Sequence, residues 1–440
     1  MGYIGRRSLL AGAAAALTAA AAGQPGPASA AARRAGLRAG REDESRSALR
    51  PGPRAEPRSV PGHHALTADF RGMWIASVGN VDWPSRTGLP AGEQRAELIA
   101  LLDTAVERRL NVVILQVRPT ADAMWPSRLE PWSQWLTGVQ GRDPGWDPLG
   151  TAVAEAHARG LELHAWFNPY RVANHTDPQR LAAGHPARRN PGWVVPYGGK
   201  LYYNPGLPEV RRFVQEAMLD AVARYPVDAV HWDDYFYPYP VEGQEFDDDD
   251  AYERHGAAFD SRADWRRHNT DTLVREMSAR LREVRPAARF GVSPFAVWRN
   301  NDRDPLGSPT RAGVATYDDL YADTRKWVTE GWIDYIVPQA YWHIGHPTAD
   351  YAAIVPWWAR TVAGTGVELY VGEALYRCDA NSPVAAWRDP AELSRHVRSA
   401  RQYPEVRGHA YFSAKQVAAD PNGAMARVVA DHYGSAAPPR

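Results

Sequence analysis

A single cysteine, Cys378, stands in a chain of 440 residues. That excludes an intrachain disulfide and any zinc or iron–sulfur site built on cysteine. Stability has to come from burial, which a chain of this length can supply. Excess charge is missing too: 51 acidic side chains balance 51 basic ones, which leaves no electrostatic footprint for nucleic acid or an anionic membrane. Beyond the N-terminal region no run is long and apolar enough to span a bilayer. There is no Gly-x-Gly-x-x-Gly, no phosphate loop and no Gly-x-Ser-x-Gly. His63, His64, His164, His231 and His343 form neither His-x-His nor His-Glu-x-x-His, and the run Asp247 to Asp250 lacks the alternating ligands and glycine of a calcium loop. No metal and no cofactor are therefore expected.

What the sequence does contain begins with an address. In residues 1–32, Arg6-Arg7 precedes an alanine-rich run, and Pro27-Ala28-Ser29-Ala30 offers small residues for cleavage. This is the pattern of a twin-arginine-type signal peptide, and the expectation is a secreted or cell-surface protein with no membrane span in the mature chain. No cysteine follows the signal for lipid attachment. Residues 33–66 are rich in Arg, Pro, Gly, Ser and Glu without an apolar period, and cannot bury enough surface to offset the entropy of ordering. They are expected to be a disordered linker, and residues 435–440 a polar tail.

Residues 67–434 alternate short apolar runs with amphipathic stretches. The runs are Arg71 to Ser77, Asn111 to Val117, Leu161 to Phe167, Ala229 to Asp233, Arg289 to Phe295, Ile333 to Gln339, Glu368 to Gly372 and Gly408 to Phe412. They lack strict polar alternation, as strands covered on both faces do. Between and after them lie helical patterns over Glu93 to Arg109, Pro148 to Arg159, Pro208 to Tyr225, Ala263 to Val284, Tyr317 to Glu330, Tyr351 to Val362, Pro390 to Arg401 and Lys415 to His432. Eight such units in series predict an α/β fold, a single-domain (β/α)8 TIM barrel with long loops after the strands.

Barrel enzymes carry their chemistry at the C-terminal strand ends. The fourth run ends in His231-Trp232-Asp233-Asp234-Tyr235-Phe236-Tyr237-Pro238: two adjacent carboxylates, then rings. Carboxylates supply the acid, base or nucleophile that breaks a glycosidic bond, and flat rings stack on sugars. With Trp232 facing outward, alternation turns His231 and Asp233 to the barrel interior and leaves Asp234 at the bend. Asp234 and Asp233 are the candidate catalytic pair. The candidate sugar-binding residues come from the other strand ends: Arg118, Trp166, Asn168, Arg171, His231, Tyr235, Tyr237, Trp298, Asn300, Gln339, Tyr341, Trp342 and Glu373. Glu373 and Asp82 are alternative second carboxylates.

Phe70-Arg71-Gly72-Met73-Trp74-Ile75-Ala76, Gln116-Val117-Arg118-Pro119, Asp147-Pro148-Leu149, His164-Ala165-Trp166-Phe167-Asn168-Pro169-Tyr170-Arg171, the Asp233-Asp234 stretch, Val292-Ser293-Pro294-Phe295 and Pro338-Gln339-Ala340-Tyr341-Trp342 occur in that order. Together they resemble the bacterial glycosyl hydrolase-like 10 family. The resemblance implies a TIM barrel and glycosidase activity, with relatives that cleave peptidoglycan strands stripped of their peptides. An acid at Glu373 departs from the family pattern. The expected enzyme is thus a glycoside hydrolase acting on N-acetylated cell-wall glycan as a monomer. A non-catalytic carbohydrate-binding barrel and a metal-dependent hydrolase stay open as alternatives.

Overall fold

The structure, a computed structural model, describes residues 69–434. The expected signal peptide, linker and polar tail lie outside the described residues. Eight strands close a barrel: β1 Phe70–Ile75, β2 Val112–Arg118, β3 Glu162–Phe167, β4 Ala229–Trp232, β5 Arg289–Val292, β6 Tyr335–Ile336, β7 Glu368–Glu373 and β8 Val406–Tyr411. Each pairs in parallel with its sequence neighbours, and β8 closes on β1. The helices of the outer ring are α1 Ala91–Glu107, α2 Pro148–Ala158, α3 Pro208–Arg224, α4 Arg262–Val284, α5 Thr324–Thr329, α6 Tyr351–Val362, α7 Glu392–Ala400 and α8 Ala424–His432. The strands are almost wholly buried, because the barrel interior covers one face and the helix ring the other.

Rings fill the interior. Phe70, Trp74, Trp166, Tyr335 and Tyr370 form its core with Val112 and Ile114, and Phe70 stacks on Tyr370 at 3.9 Å. Such side chains each stabilise the fold by about 1.5–3 kcal/mol when fully buried. Space for Tyr335 is made by Gly291 on the neighbouring strand, where a Cβ would lie 1.9 Å from the tyrosine ring.

Two expected helices are each broken in two. Tyr317 to Glu330 becomes Thr316–Asp319 and α5, separated at Tyr321, whose φ of 50° stops the helix. Asp323 then accepts a hydrogen bond from Lys326 N and caps α5. Lys415 to His432 becomes Ala414–Ala419 and α8, separated by Asp420-Pro421-Asn422-Gly423, where Asp420 is left-handed. Strand β6 is also shorter than the run Ile333 to Gln339.

The periodicity gave no hint of a three-stranded antiparallel sheet between β3 and α3. Its strands are Arg171–Ala173, Lys200–Tyr203 and Val194–Tyr197, with Lys200–Tyr203 in the middle. It rises directly from the end of β3, so it stands beside the mouth of the barrel.

Candidate active site

Strand β4 brings the acids to the mouth. Trp232 faces outward, its ring edge-on to Phe290 at 4.7 Å and Phe236 at 6.1 Å. His231 therefore points inward. Its Nε2 accepts from Trp74 Nε1 at 3.2 Å and lies 2.9 Å from Ser293 Oγ, while Nδ1 lies 3.0 Å from Tyr335 OH. Tryptophan can only donate, so Nε2 is the acceptor and the proton sits on Nδ1. Burial holds this imidazole well below its usual pKa, and His164 repels its charged form further. It is a neutral core histidine beneath the site.

Alternation then turns Asp233 the same way. The β3–β4 register pairs Trp166 with His231 and Phe167 with Trp232, so Asn168 comes level with Asp233. Asn168 Nδ2 donates to Asp233 Oδ2 at 2.5 Å. The amide is itself oriented: its Oδ1 accepts from Gln116 Nε2 at 2.5 Å and Arg171 Nη2 at 2.9 Å. Gln116 is fixed in turn by Ser77 N and Val78 N, which donate to its Oε1. A relay of amides from β1 through β2 and β3 thus aims one N–H at one carboxylate oxygen.

Asp234 has different partners. Tyr239 OH donates to its Oδ2, and the Gln339 amide faces it. Tyr239 is held edge-on between Tyr235 at 5.6 Å and Phe295 at 6.2 Å. Both acids are enclosed, Asp233 at 4% and Asp234 at 8% exposure. Burial pushes the Asp233 carboxyl up to about 7, and the charge of Asp234 adds to the rise against the pull of Arg171 and Asn168. Burial raises Asp234 as well, against the hydrogen bond from Tyr239. Near neutral pH such a pair retains a proton and can deliver it.

Of the expected site residues, Asn168, Arg171, Tyr235, Gln339 and Tyr341 converge on these acids. The Arg171 guanidinium lies 5.0 Å over the Tyr235 ring and feels both carboxylates, and the charges of Asp234 and Asp233 reach Tyr341. Trp166 belongs to the barrel interior, its Nε1 enclosed without a partner. Trp342 packs edge-on to Phe295.

The remaining candidates are committed elsewhere. Arg118 is 0% exposed and holds Glu130 through two parallel bonds of 2.7 and 2.5 Å, with Nη1 on the Asn168 and Pro169 carbonyls; it braces the β3 loop and presents nothing to a ligand. Tyr237 turns away from the acids into a cluster with Tyr197, Tyr202 and Phe246. Trp298 donates to Asp323 at 2.8 Å and stacks on Trp357. Asn300 staples its own loop through Thr310 and Ala312.

Glu373 lies on the outward face of β7, opposite in phase to the inward Tyr370. Its carboxylate takes Tyr351 OH at 2.8 Å and lies 2.8 Å from His396 Nδ1 and 2.9 Å from His409 Nδ1. Burial disfavours its charge, but the two imidazoles win and hold it down at about 2. Asp82 is tied by Ala76 N, Ser413 Oγ and Lys415 N. Among the described residues no group of three or more His, Cys, Asp or Glu is placed to hold a metal.

Tyr239 and the anchoring role of Gln116 lie outside the site expected from sequence, although Tyr239 carries a signal: in Tyr235-Phe236-Tyr237-Pro238-Tyr239-Pro240 every second residue is a tyrosine.

A closed parallel barrel with two adjacent buried carboxylates at its C-terminal mouth, ringed by aromatic faces and amide and guanidinium donors, is the architecture of a glycoside hydrolase. The comparisons with known proteins agree. Residues 69–389 match the family described as Glycosyl hydrolase-like 10, and the chain belongs to that family. It is 49% identical over 371 residues to the glycosyl hydrolase YngK of Bacillus subtilis (strain 168), covering 84% of this chain and 72% of that one. It is 40% identical over 365 residues to the glycosyl hydrolase DigH of Escherichia coli (strain K12), covering 78% and 82%. Among solved structures, the PgaB (BpsB) glycoside hydrolase domain from Bordetella bronchiseptica shares the fold, with a TM-score of 0.52 at 13% identity over 82% of this chain and 98% of that one. Among the described residues no helix is long and apolar enough to cross a membrane.

Proposed function

We propose that this enzyme is exported by the twin-arginine route and cleaves glycosidic bonds in a peptidoglycan-like N-acetylated cell-wall polysaccharide, acting as a monomer. The step that best suits the site is substrate-assisted hydrolysis. Asp234 gives its proton to the leaving glycosidic oxygen while the acetamido carbonyl oxygen of the sugar being cleaved attacks its own C1 and breaks the bond to that oxygen. Asp233, aimed by Asn168, accepts the acetamido N–H and holds that group in line. Water then opens the cyclic intermediate, yielding its proton to Asp234 and restoring the acid.

One observation carries this reading: Asp233 and Asp234, both raised by burial, are sequence neighbours with separate hydrogen-bond donors, Asn168 for Asp233 and Tyr239 for Asp234, whereas Glu373, and Asp82, which burial also raises to about 6, are held by partners of their own. Adjacent acids at a strand end suit a nucleophile supplied by the substrate, a recognised exception to the scheme of two separated carboxylates. The test is product analysis by mass spectrometry on denuded peptidoglycan, chitin and galactosaminoglycan, with wild type and Asp234→Ala. Soluble oligosaccharides from wild type and a loss of orders of magnitude in the variant are expected. Glycan retention without products would instead establish the non-catalytic binding barrel.

A further inference from the structure

Near the acids, past Arg171, lies a second cation on which no carboxylate among the described residues acts. Arg171 is 6% exposed, yet its Nε and Nη2 go to uncharged acceptors, Pro119 O at 3.0 Å and Asn168 Oδ1 at 2.9 Å. Its Nη1 makes no hydrogen bond and is not among the enclosed unpartnered atoms, so it opens toward solvent. Lys200 lies on the middle strand of the sheet beside the mouth. The register pairs Tyr202 with Arg171, and residues two apart along a strand share a face, so Lys200 is on the face that carries Arg171. Among the described residues no carboxylate acts on Lys200, which is partly buried and whose one charged neighbour is Arg171. Burial and the charge of Arg171 both depress its pKa.

Two cations that repel each other, one partly and one almost wholly withdrawn from water, are an unfavourable arrangement unless an anion joins them. The acid pair, which keeps a proton near neutral pH, offers one negative charge that Arg171 already faces, and leaves none for Lys200. We propose that Lys200, with the open edge of Arg171, forms a subsite for a carboxylate carried by the glycan, so that the enzyme selects sugars bearing a free acid over neutral ones. The proposal rests on the glycan reading above and adds to it a specificity-determining residue. A carboxylate fits this pair better than a sugar hydroxyl, since it accepts from both cations at once and neutralises the repulsion between them.

The experiment uses strands of alternating N-acetylglucosamine and N-acetylmuramic acid without peptides, before and after carbodiimide amidation of their carboxylates. Turnover and binding are both measured, for wild type, Lys200→Gln and Lys200→Arg. Charge-assisted hydrogen bonds of this kind correspond to roughly ten- to a hundredfold in affinity. Wild type is expected to lose about that factor on amidation, mainly in KM. Lys200→Gln should no longer distinguish the two substrates, and Lys200→Arg should recover the preference. Equal handling of both substrates by wild type, or an undiminished preference in Lys200→Gln, overturns the proposal. Selective binding without cleavage would sink the hydrolytic reading of the substrate while upholding the subsite.

Discussion

Replacing Tyr239 by Phe isolates the proton chemistry of Asp234. The substitution deletes one hydroxyl and leaves the ring between Tyr235 and Phe295. That hydroxyl donates to Asp234 Oδ2 and favours the charged carboxylate, working against the upward push of burial. Without it the carboxyl pKa climbs further. A hydrogen bond to a charged group is worth about 1.5–3 kcal/mol, which at about 1.36 kcal/mol per unit is roughly one to two units. If Asp234 is the general acid, activity lasts until its proton is lost, so the alkaline limb of kcat against pH should move up by about that amount. Thermal stability should change by less than about 1 kcal/mol, because no ring contact is lost and Tyr239 is only half-buried. The assay is a pH–rate profile on soluble glycan fragments, with melting temperatures recorded at each pH. A uniform fall in kcat with both limbs in place would refute the assignment: Tyr239 would then position substrate, and Asp234 would not be the titrating acid.

Two further substitutions test the electrostatics through stability. Asp233 has its pKa raised from 3.8 to about 7, so the folded state holds a proton that the unfolded chain has released, and stability falls as pH rises between those values. Asp233→Asn should therefore melt higher than wild type at pH 8, by the equivalent of about 2–4 kcal/mol, and show little gain at pH 4 while losing turnover at both; an equal gain at the two pH values would count against the shift. Glu373 runs the opposite way: depressed to about 2, it contributes stability that is present above its unfolded value of 4.5 and lost as pH falls toward 2. His396, raised above 6.5, contributes below 6.5 and loses its contribution as pH climbs through its folded value. Glu373→Gln should cost about 3–5 kcal/mol, most of it between pH 4.5 and 6.5, as read from urea midpoints across that range; a loss that does not vary with pH would mean that the His396 imidazole is uncharged.

The barrel was legible because its signal is repeated eight times and each strand is buried on both faces, so apolar runs and helical periods alternate without ambiguity. Boundaries failed where one residue overrides a period: Tyr321 and Asp420 take left-handed backbone inside stretches that otherwise read as helix. The sheet of Arg171–Ala173, Val194–Tyr197 and Lys200–Tyr203 stayed hidden because strands of three or four residues carry too few alternations to stand out. Within the site, Asp233, Asp234, Asn168 and Arg171 could be read from strand-end position alone. Which way a side chain leaves the end of a strand is less visible. Arg118 and Glu373 have the right chemistry at strand ends, but Arg118 finds Glu130 from a loop twelve residues on, and Glu373 finds two histidines. Pairings between separate elements leave no local periodic trace.

Glu373 keeps its charge while Asp233 and Asp234 keep a proton between them, because their surroundings differ in positive charge. Glu373, His396, His409 and Tyr351 place two imidazoles and a hydroxyl around a single carboxylate, so its charged form is favoured and its proton is gone at any ordinary pH. Asp233 and Asp234 share one guanidinium and a few neutral donors between two carboxylates, so burial wins and a proton stays. A general acid needs that shortfall of positive charge. Lys200 is bound by the same limit: were it close enough to pair with Asp233 it would strip the site of its proton. Arg171, not Lys200, is the cation that acts on the two acids, which leaves the charge of Lys200 for a ligand.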